Sequence, residues 1–267
     1  MSVTAKPHAV LVAVLGLVLG LAWIGASPPE QAAAAPAVRY GGSTSVTRTK
    51  ATRSVALAPP ARMAVGDVLV ASFTASGSAK VGGAPVGWTS LLPERLRAGR
   101  GASLFAYVRV VSAADLRTSR WSWTLDRRRT WSGGSARYEG VDPLHPVDTK
   151  VSVASSGSPR SRLAVPGVRT TTSGTMLIGS VGGAAARSGV TPPRGWAEAW
   201  EVRRGPTAEH AHRAGGAAGR VPGPVWKVGS ARHLAGWVTA LRPDTGSTPP
   251  PDPSTTVPPP TPVVPTA

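Results

Sequence analysis

The side chains able to ligate a metal are few and fall late in the chain. His210 and His212 stand two apart, so on a strand both leave the same face, and His233 with Glu209 or Glu201 would complete a nitrogen and oxygen set. Glu209 alternates to the other face, however, and solvated polar positions on an edge strand are the stronger reading. Asp142 and Asp148 flank His145 in a loop and carry oxygens of the kind that hold calcium. An aspartate ahead of Pro143 more simply caps a turn, and Asp148 is read in the same way. The chain has no cysteine, which excludes thiolate metal sites, and no Gly-x-Ser-x-Gly element. Its acidic residues show no spacing that marks a glycosidase pair. The expectation is a protein without catalytic residues, metal or cofactor.

Arginine offers a different chemistry. The segment Arg120-Trp-Ser-Trp-Thr-Leu-Asp-Arg-Arg-Arg-Thr-Trp131 reads as a hairpin whose tip, Asp126 to Arg129, gathers three guanidinium groups beside tryptophan. That mixture suits contact with phosphate or stacking on sugar. Arg127, Arg128, Arg129 and Trp131 are therefore the candidate binding residues, with an anionic cell-wall polymer or a glycan as partner. Trp121, Trp123 and Leu125 share one face and Ser122 and Thr124 the other, which marks a core strand. The net charge of +17 favours anionic partners in general. The arginines are nevertheless scattered, in a composition that a GC-rich genome would also give, and no specific nucleic-acid site is expected.

These residues must be held by strands. From Val38 to Leu241 short alternating runs are punctuated by Gly, Pro and Ser, and no apolar stripe persists at helical spacing. The text also repeats. Gly66-Asp-Val-Leu-Val-Ala-Ser-Phe73 followed by Gly87-Trp88 is matched by Gly174-Thr-Met-Leu-Ile-Gly-Ser-Val181 followed by Gly195-Trp196, both anchors shifted by the same interval. The expected fold is all-β, a jelly-roll-like β-sandwich over residues 36–243 with duplicated halves at about 37–145 and 146–243. The halves should lie face to face around shared tryptophan anchors. Trp88 and Trp196 should take equivalent core positions, as should Val68/Leu69 and Met176/Leu177, with Trp123 and Trp237 also in the core.

Residues 1–34 have the layout of a secretory signal peptide. Lys6 precedes an apolar run from Ala9 to Ile24, and small residues follow to Ala35; the run is short against the roughly 20 residues of a membrane span. The expectation is a secreted or cell-surface protein, cleaved within Ala32–Ala35, monomeric and with no stable membrane span after cleavage. Without disulfides, burial must hold the domain together. Residues 244–267 are rich in Pro and Thr, lack aromatics and are read as a disordered tail or linker.

Val65-Gly-Asp-Val-Leu-Val-Ala71, Gly87-Trp88, Tyr138-Glu-Gly-Val-Asp-Pro143 with Pro146-Val-Asp148, Pro192-Pro-Arg-Gly-Trp196 and Trp237-Val-Thr-Ala-Leu-Arg-Pro243 together make a pattern. It resembles a secreted actinobacterial β-sandwich module of the kind found N-terminal to extracellular domains such as calcineurin-like metallophosphoesterases. The resemblance spans about Pro36 to Pro243 and implies turns and core anchors, with no catalytic residue to carry over. The Asp-x-His and Gly-Asn-His elements of such esterases do not occur in this chain. The expected role is a non-catalytic module that binds a surface polymer or glycan, or spaces another domain. The other expectation is an accessory N-terminal region of a secreted hydrolase whose catalytic domain lies outside this chain.

Overall fold

The computed structural model describes residues 37–185 and 188–246. The expected signal peptide and residues 247–267 of the expected tail lie outside the described residues. The first half contains β1 (Arg39–Leu57), β2 (Val68–Ser76), β3 (Val81–Gly83), β4 (Thr89–Ser90), β5 (Leu96–Ala98), β6 (Ala102–Val110), a 3-10 turn (Asp115–Arg117) and β7 (Trp121–Glu139). The second contains β8 (Ser152–Ser155), β9 (Arg160–Ala164), β10 (Val168–Thr170), β11 (Met176–Gly183), β12 (Val190–Thr191), β13 (Ala197–Val202), β14 (Thr207–Ala214), β15 (Gly219–Val221), β16 (Val225–Arg232) and β17 (Leu234–Leu241). The protein is all-β and sandwich-like, as its alternating patterns require.

One sheet runs β1-β7-β2-β6-β4, with β3 joined to β7 and β5 to β6. The other large sheet runs β13-β14-β11-β17-β8, and smaller sheets join β12-β16-β9 and β10-β15. Every pairing is antiparallel. In β2, Val68 and Val70 enter one core while Leu69, Ala71 and Phe73 enter another. In β11, Met176 and Ile178 enter that first core while Leu177 and Val181 enter a third. The period of two thus serves two cores at once, which is why these strands read as nearly unbroken apolar or small residues.

The shared core lies between the two large sheets. It contains Val68, Val70, Leu104 and Tyr138 from the first half and Met176, Ile178, Trp237 and Leu241 from the second. Outside it, β1 and β7 fold back over their own sheet. Their ladder shifts register between Arg48 and Ser54, and beyond that irregularity Val55, Leu57, Trp121, Trp123 and Leu125 pack on Leu69, Phe73, Phe105 and Tyr107. Such register irregularities bend a strand and raise its local twist. Across the molecule, Leu163 and Trp226 pack over Leu177 and Val181. The layers therefore alternate as strand, core, sheet, shared core, sheet, core, strand.

The expected core tryptophans are all buried, although they do not share one cluster. Trp88 stands edge-on to Trp121 at 5.3 Å and to Trp123 at 5.2 Å, while Trp196 tilts against Trp226 at 6.0 Å. Each group fills the outer core of its own half. The face-to-face contact is made by Trp237 and by Trp200, whose ring lies so close to Gly134 that a Cβ there would come within 2.7 Å. Val68 and Met176 do share one core, and Leu69 and Leu177 hold the corresponding outer positions. Trp237→Ala is expected to lower stability by about 3–5 kcal/mol, since it opens a cavity in the shared core. Denaturant unfolding measures this, and a midpoint equal to that of the parent protein would show that the shared core does not hold the halves together.

Candidate functional site

Arg127, Arg128 and Arg129 are not on a hairpin tip. β7 runs straight through them as one strand from Trp121 to Glu139, because residues on both sides of the arginines bury their side chains and pair with β1. The arginines instead occupy the irregular stretch of the β1–β7 ladder, where Thr52 pairs with Arg129 and the Arg53 guanidinium donates to the Asp126 carbonyl at 2.6 Å. β1 adds Arg48, Lys50 and Arg53, all exposed like Arg127 and Arg128. Asp126 is partly engaged elsewhere and accepts from the Lys80 N–H at 3.0 Å. The outcome is a cationic bend in which Arg48, Lys50, Arg127 and Arg128 form no ion pair among the described residues. Trp131 is not available to a ligand. Its side chain is 0% exposed in the outer core of the first half, since at the end of the irregular stretch the alternation turns it inward.

The histidine set also resolves differently from its sequence reading. β14 lies between β13 and β11 and is not an edge strand. His210 is 0% exposed, with Nε2 at 2.9 Å from the Tyr138 hydroxyl and Nδ1 at 2.8 Å from Ser180 Oγ. Both ring nitrogens are therefore engaged by hydroxyls. His212 is half-buried and stacks on Tyr40 at 4.3 Å. His233 lies apart, against Gly99, with Nδ1 3.4 Å from the Ser156 carbonyl. No group of three or more potential ligands converges among the described residues. Asp142 caps its turn by accepting from the Leu144 and His145 N–H groups at 2.8 and 3.1 Å. Asp148 reaches further and accepts from both the N–H and the hydroxyl of Thr171, each at 2.7 Å.

The Ser180–His210–Tyr138 chain has the composition of a nucleophile with its base, yet all three are sealed in the sandwich. Burial, and then the neighbouring His212, push His210 down to about 3, so it is neutral and links the halves as a hydrogen-bond partner. Glu209 alternates into the outer core of the second half. It is 0% exposed, and neither carboxyl oxygen has a hydrogen-bond partner. The Trp226 indole approaches it without reaching hydrogen-bonding geometry. Burial, and then the Glu198 carboxylate, raise Glu209 well above the ordinary range, so the group keeps its proton.

A second cationic feature carries no sequence run to announce it. A cleft of about 610 Å³ opens on the second half, with Arg162 from β9, Arg213 from β14, Lys227 from β16 and Arg194 from the turn before Trp196 around its rim. Pro192, Pro193, Pro222 and Pro224 line it together with the buried Trp196. None of the four cations forms an ion pair among the described residues, and no carboxylate lines the cleft. These four residues are far apart in sequence, and only the pairing of β9 with β16 and the nearness of β14 bring them together. On the first half a cleft of about 420 Å³ has mixed charge, with Lys80, Glu94 and Arg95 beside Phe105 and Tyr107.

Comparison of the chain with protein-family models, with curated proteins and with solved structures finds no match. The geometry of the two cationic surfaces therefore carries the functional reading.

The buried His210 and Glu209 give stability a pH dependence of opposite signs. The unfolded chain takes up a proton at His210 below its ordinary value of 6.5 and the fold does not, so stability is lost as pH falls from 6.5 toward 3. His212, also held down by burial, adds to the same slope. Glu209 keeps a proton that the unfolded chain releases above about 4.5, so its contribution is lost progressively as pH rises from that value toward the raised value of the fold. Denaturation midpoints followed from acid to neutral pH should show Glu209→Gln gaining on the parent protein as pH rises. His210→Asn should show a shallower loss on the acid side. Profiles parallel to that of the parent would refute the assignment of these groups.

Proposed function

We propose that the protein is a secreted, non-catalytic module that holds an anionic cell-surface polymer, built from two duplicated halves of jelly-roll type. The observation that carries this reading is the cationic bend of β1 and β7. There Arg48, Lys50, Arg53, Arg127, Arg128 and Arg129 project from a two-stranded ladder with only Asp126 among them. Ordinary surfaces interleave charge of both signs, and a stretch this one-sided attracts polyanions at long range. Cationic groups spread over two neighbouring strands suit an extended partner that can reach several of them better than a compact one. The sealed Ser180–His210–Tyr138 chain agrees with binding as the role, because no substrate can reach it.

Duplication is supported by the order of the strands. β11 has β14 on one side and β17 on the other, as β2 has β6 and β7, and both five-strand paths continue in corresponding order to their edges. The jelly-roll reading is supported by the way β1 and β7 pair in the large sheet at one end and cover it at the other.

Replacing Arg127, Arg128 and Arg129 together with Ser should reduce retention on an anionic cell-wall polymer several-fold at low salt, with the difference shrinking as the Debye length falls below about 10 Å. Column retention or sedimentation with insoluble polymer across a salt series reads this. Retention of the triple variant equal to that of the parent at low salt would remove the bend from the binding surface.

A further inference from the structure

The two halves treat one arginine position in opposite ways. Arg109 in β6 pairs across from Leu69 of β2, and Arg213 in β14 pairs across from Leu177 of β11. Each guanidinium carbon stands 5.9 Å from a tryptophan ring, Arg109 over Trp121 and Arg213 over Trp196, within cation–π range. Arg109 is neutralised from within the chain. Its Nε and Nη2 donate to the two carboxylate oxygens of Asp115 at 2.9 and 2.6 Å, the two-pronged geometry a planar guanidinium prefers. Asp115 is delivered by the 3-10 turn that follows β6. After β14 the chain reads Ala214-Gly-Gly-Ala-Ala-Gly219, with no acid to deliver. Arg213 is half-buried without a carboxylate, and the cleft around it adds Arg162, Arg194 and Lys227.

We infer that the cleft over Trp196 is a binding site for a carboxylated polysaccharide, in which a carboxylate of the ligand takes on Arg213 the place that Asp115 takes on Arg109. This rests on the reading of the protein as a polyanion-binding module and names the ligand class for one of its surfaces. The carboxylate follows from the side chain that satisfies the corresponding arginine. The sugar follows from the lining, because Pro192, Pro193, Pro222 and Pro224 bring ring C–H surface to the cleft and carry no N–H donors. A pyranose lays its C–H face on such a surface. Arg162, Arg194 and Lys227 then face the charges of neighbouring sugar units. The cleft holds about 610 Å³, room for more than one ring.

The experiment titrates the whole protein with a short oligogalacturonate by calorimetry and by tryptophan fluorescence at moderate salt. The expected result is saturable binding, weakened about tenfold or more in Arg213→Gln, because one charge-assisted pair is lost. Arg194→Gln and Lys227→Gln, both at exposed positions, should weaken it by smaller factors and keep the parent's melting temperature. The neutral galactose oligomer should not bind. Equal affinity for inorganic polyphosphate or poly-glutamate would overturn the carboxylated-sugar assignment. Affinity unchanged in all three cleft variants would overturn the site, while the triple Arg127, Arg128 and Arg129 variant reports on the bend separately. Failure of the parent protein to bind any polyanion would overturn the module itself.

Discussion

The structure depends on a dry face shared by two large sheets. Neither sheet can leave that face in water, because β2, β6, β11 and β17 bury side chains on both sides. With no disulfide among the described strands, burial has to supply the stabilisation that cross-links give many extracellular domains. A polar chain from Ser180 through His210 to Tyr138 runs through the shared face, with both imidazole nitrogens engaged by hydroxyls. Its hydrogen bonds form only in the alignment of the sheets that brings Tyr138 of one against His210 of the other. Trp200 over Gly134 enforces the same alignment by shape, since any side chain at Gly134 would meet the indole.

Much of this was legible in the residues. The alternation of Trp121, Trp123 and Leu125 against Ser122 and Thr124 placed the three large side chains inward, and the fold agrees. The repeat sets Val68/Leu69 and Met176/Leu177 in equivalent core positions, and in the fold Val68 and Met176 share one core while Leu69 and Leu177 hold corresponding outer ones. The course of β1 and β7 was not legible. Each is nineteen residues long, and polar residues in the middle of a strand look the same as a turn when only local composition is read. What makes the segment continuous is pairing with a partner far along the chain, a tertiary constraint absent from any local window. The same limit placed the tryptophan anchors in one core, whereas sheet packing sorts Trp88 and Trp196 into separate outer cores.

The candidate surfaces divide in the same way. Three adjacent arginines are visible as a run, but the run reads as a hairpin tip, and the bend with its partners Arg48, Lys50 and Arg53 emerges only once β1 is paired with β7. The cleft was missed because Arg162, Arg194, Arg213 and Lys227 have no common motif. The signal that could have found it is a missing charge: the text after Arg109 supplies Asp115, and the text after Arg213 supplies no acid. The histidines were misplaced for a related reason. Alternation assigns His210 and His212 to one face, but it cannot distinguish a solvated face from one covered by another sheet, and Tyr138 and Ser180 are the partners that decide it.

The cross-half packing also bears on how the chain acquires its shape. Residues 37–145 are synthesised first and already contain a complete outer core, yet the face bearing Val68, Val70, Leu104 and Tyr138 has no cover until β11, β14 and β17 exist. During that interval the nascent chain carries a sticky apolar sheet, and a neighbouring copy offers the same surface. Exchange of halves between chains is therefore the natural error of this architecture, and the length of the connection between β7 and β8 governs how readily it happens.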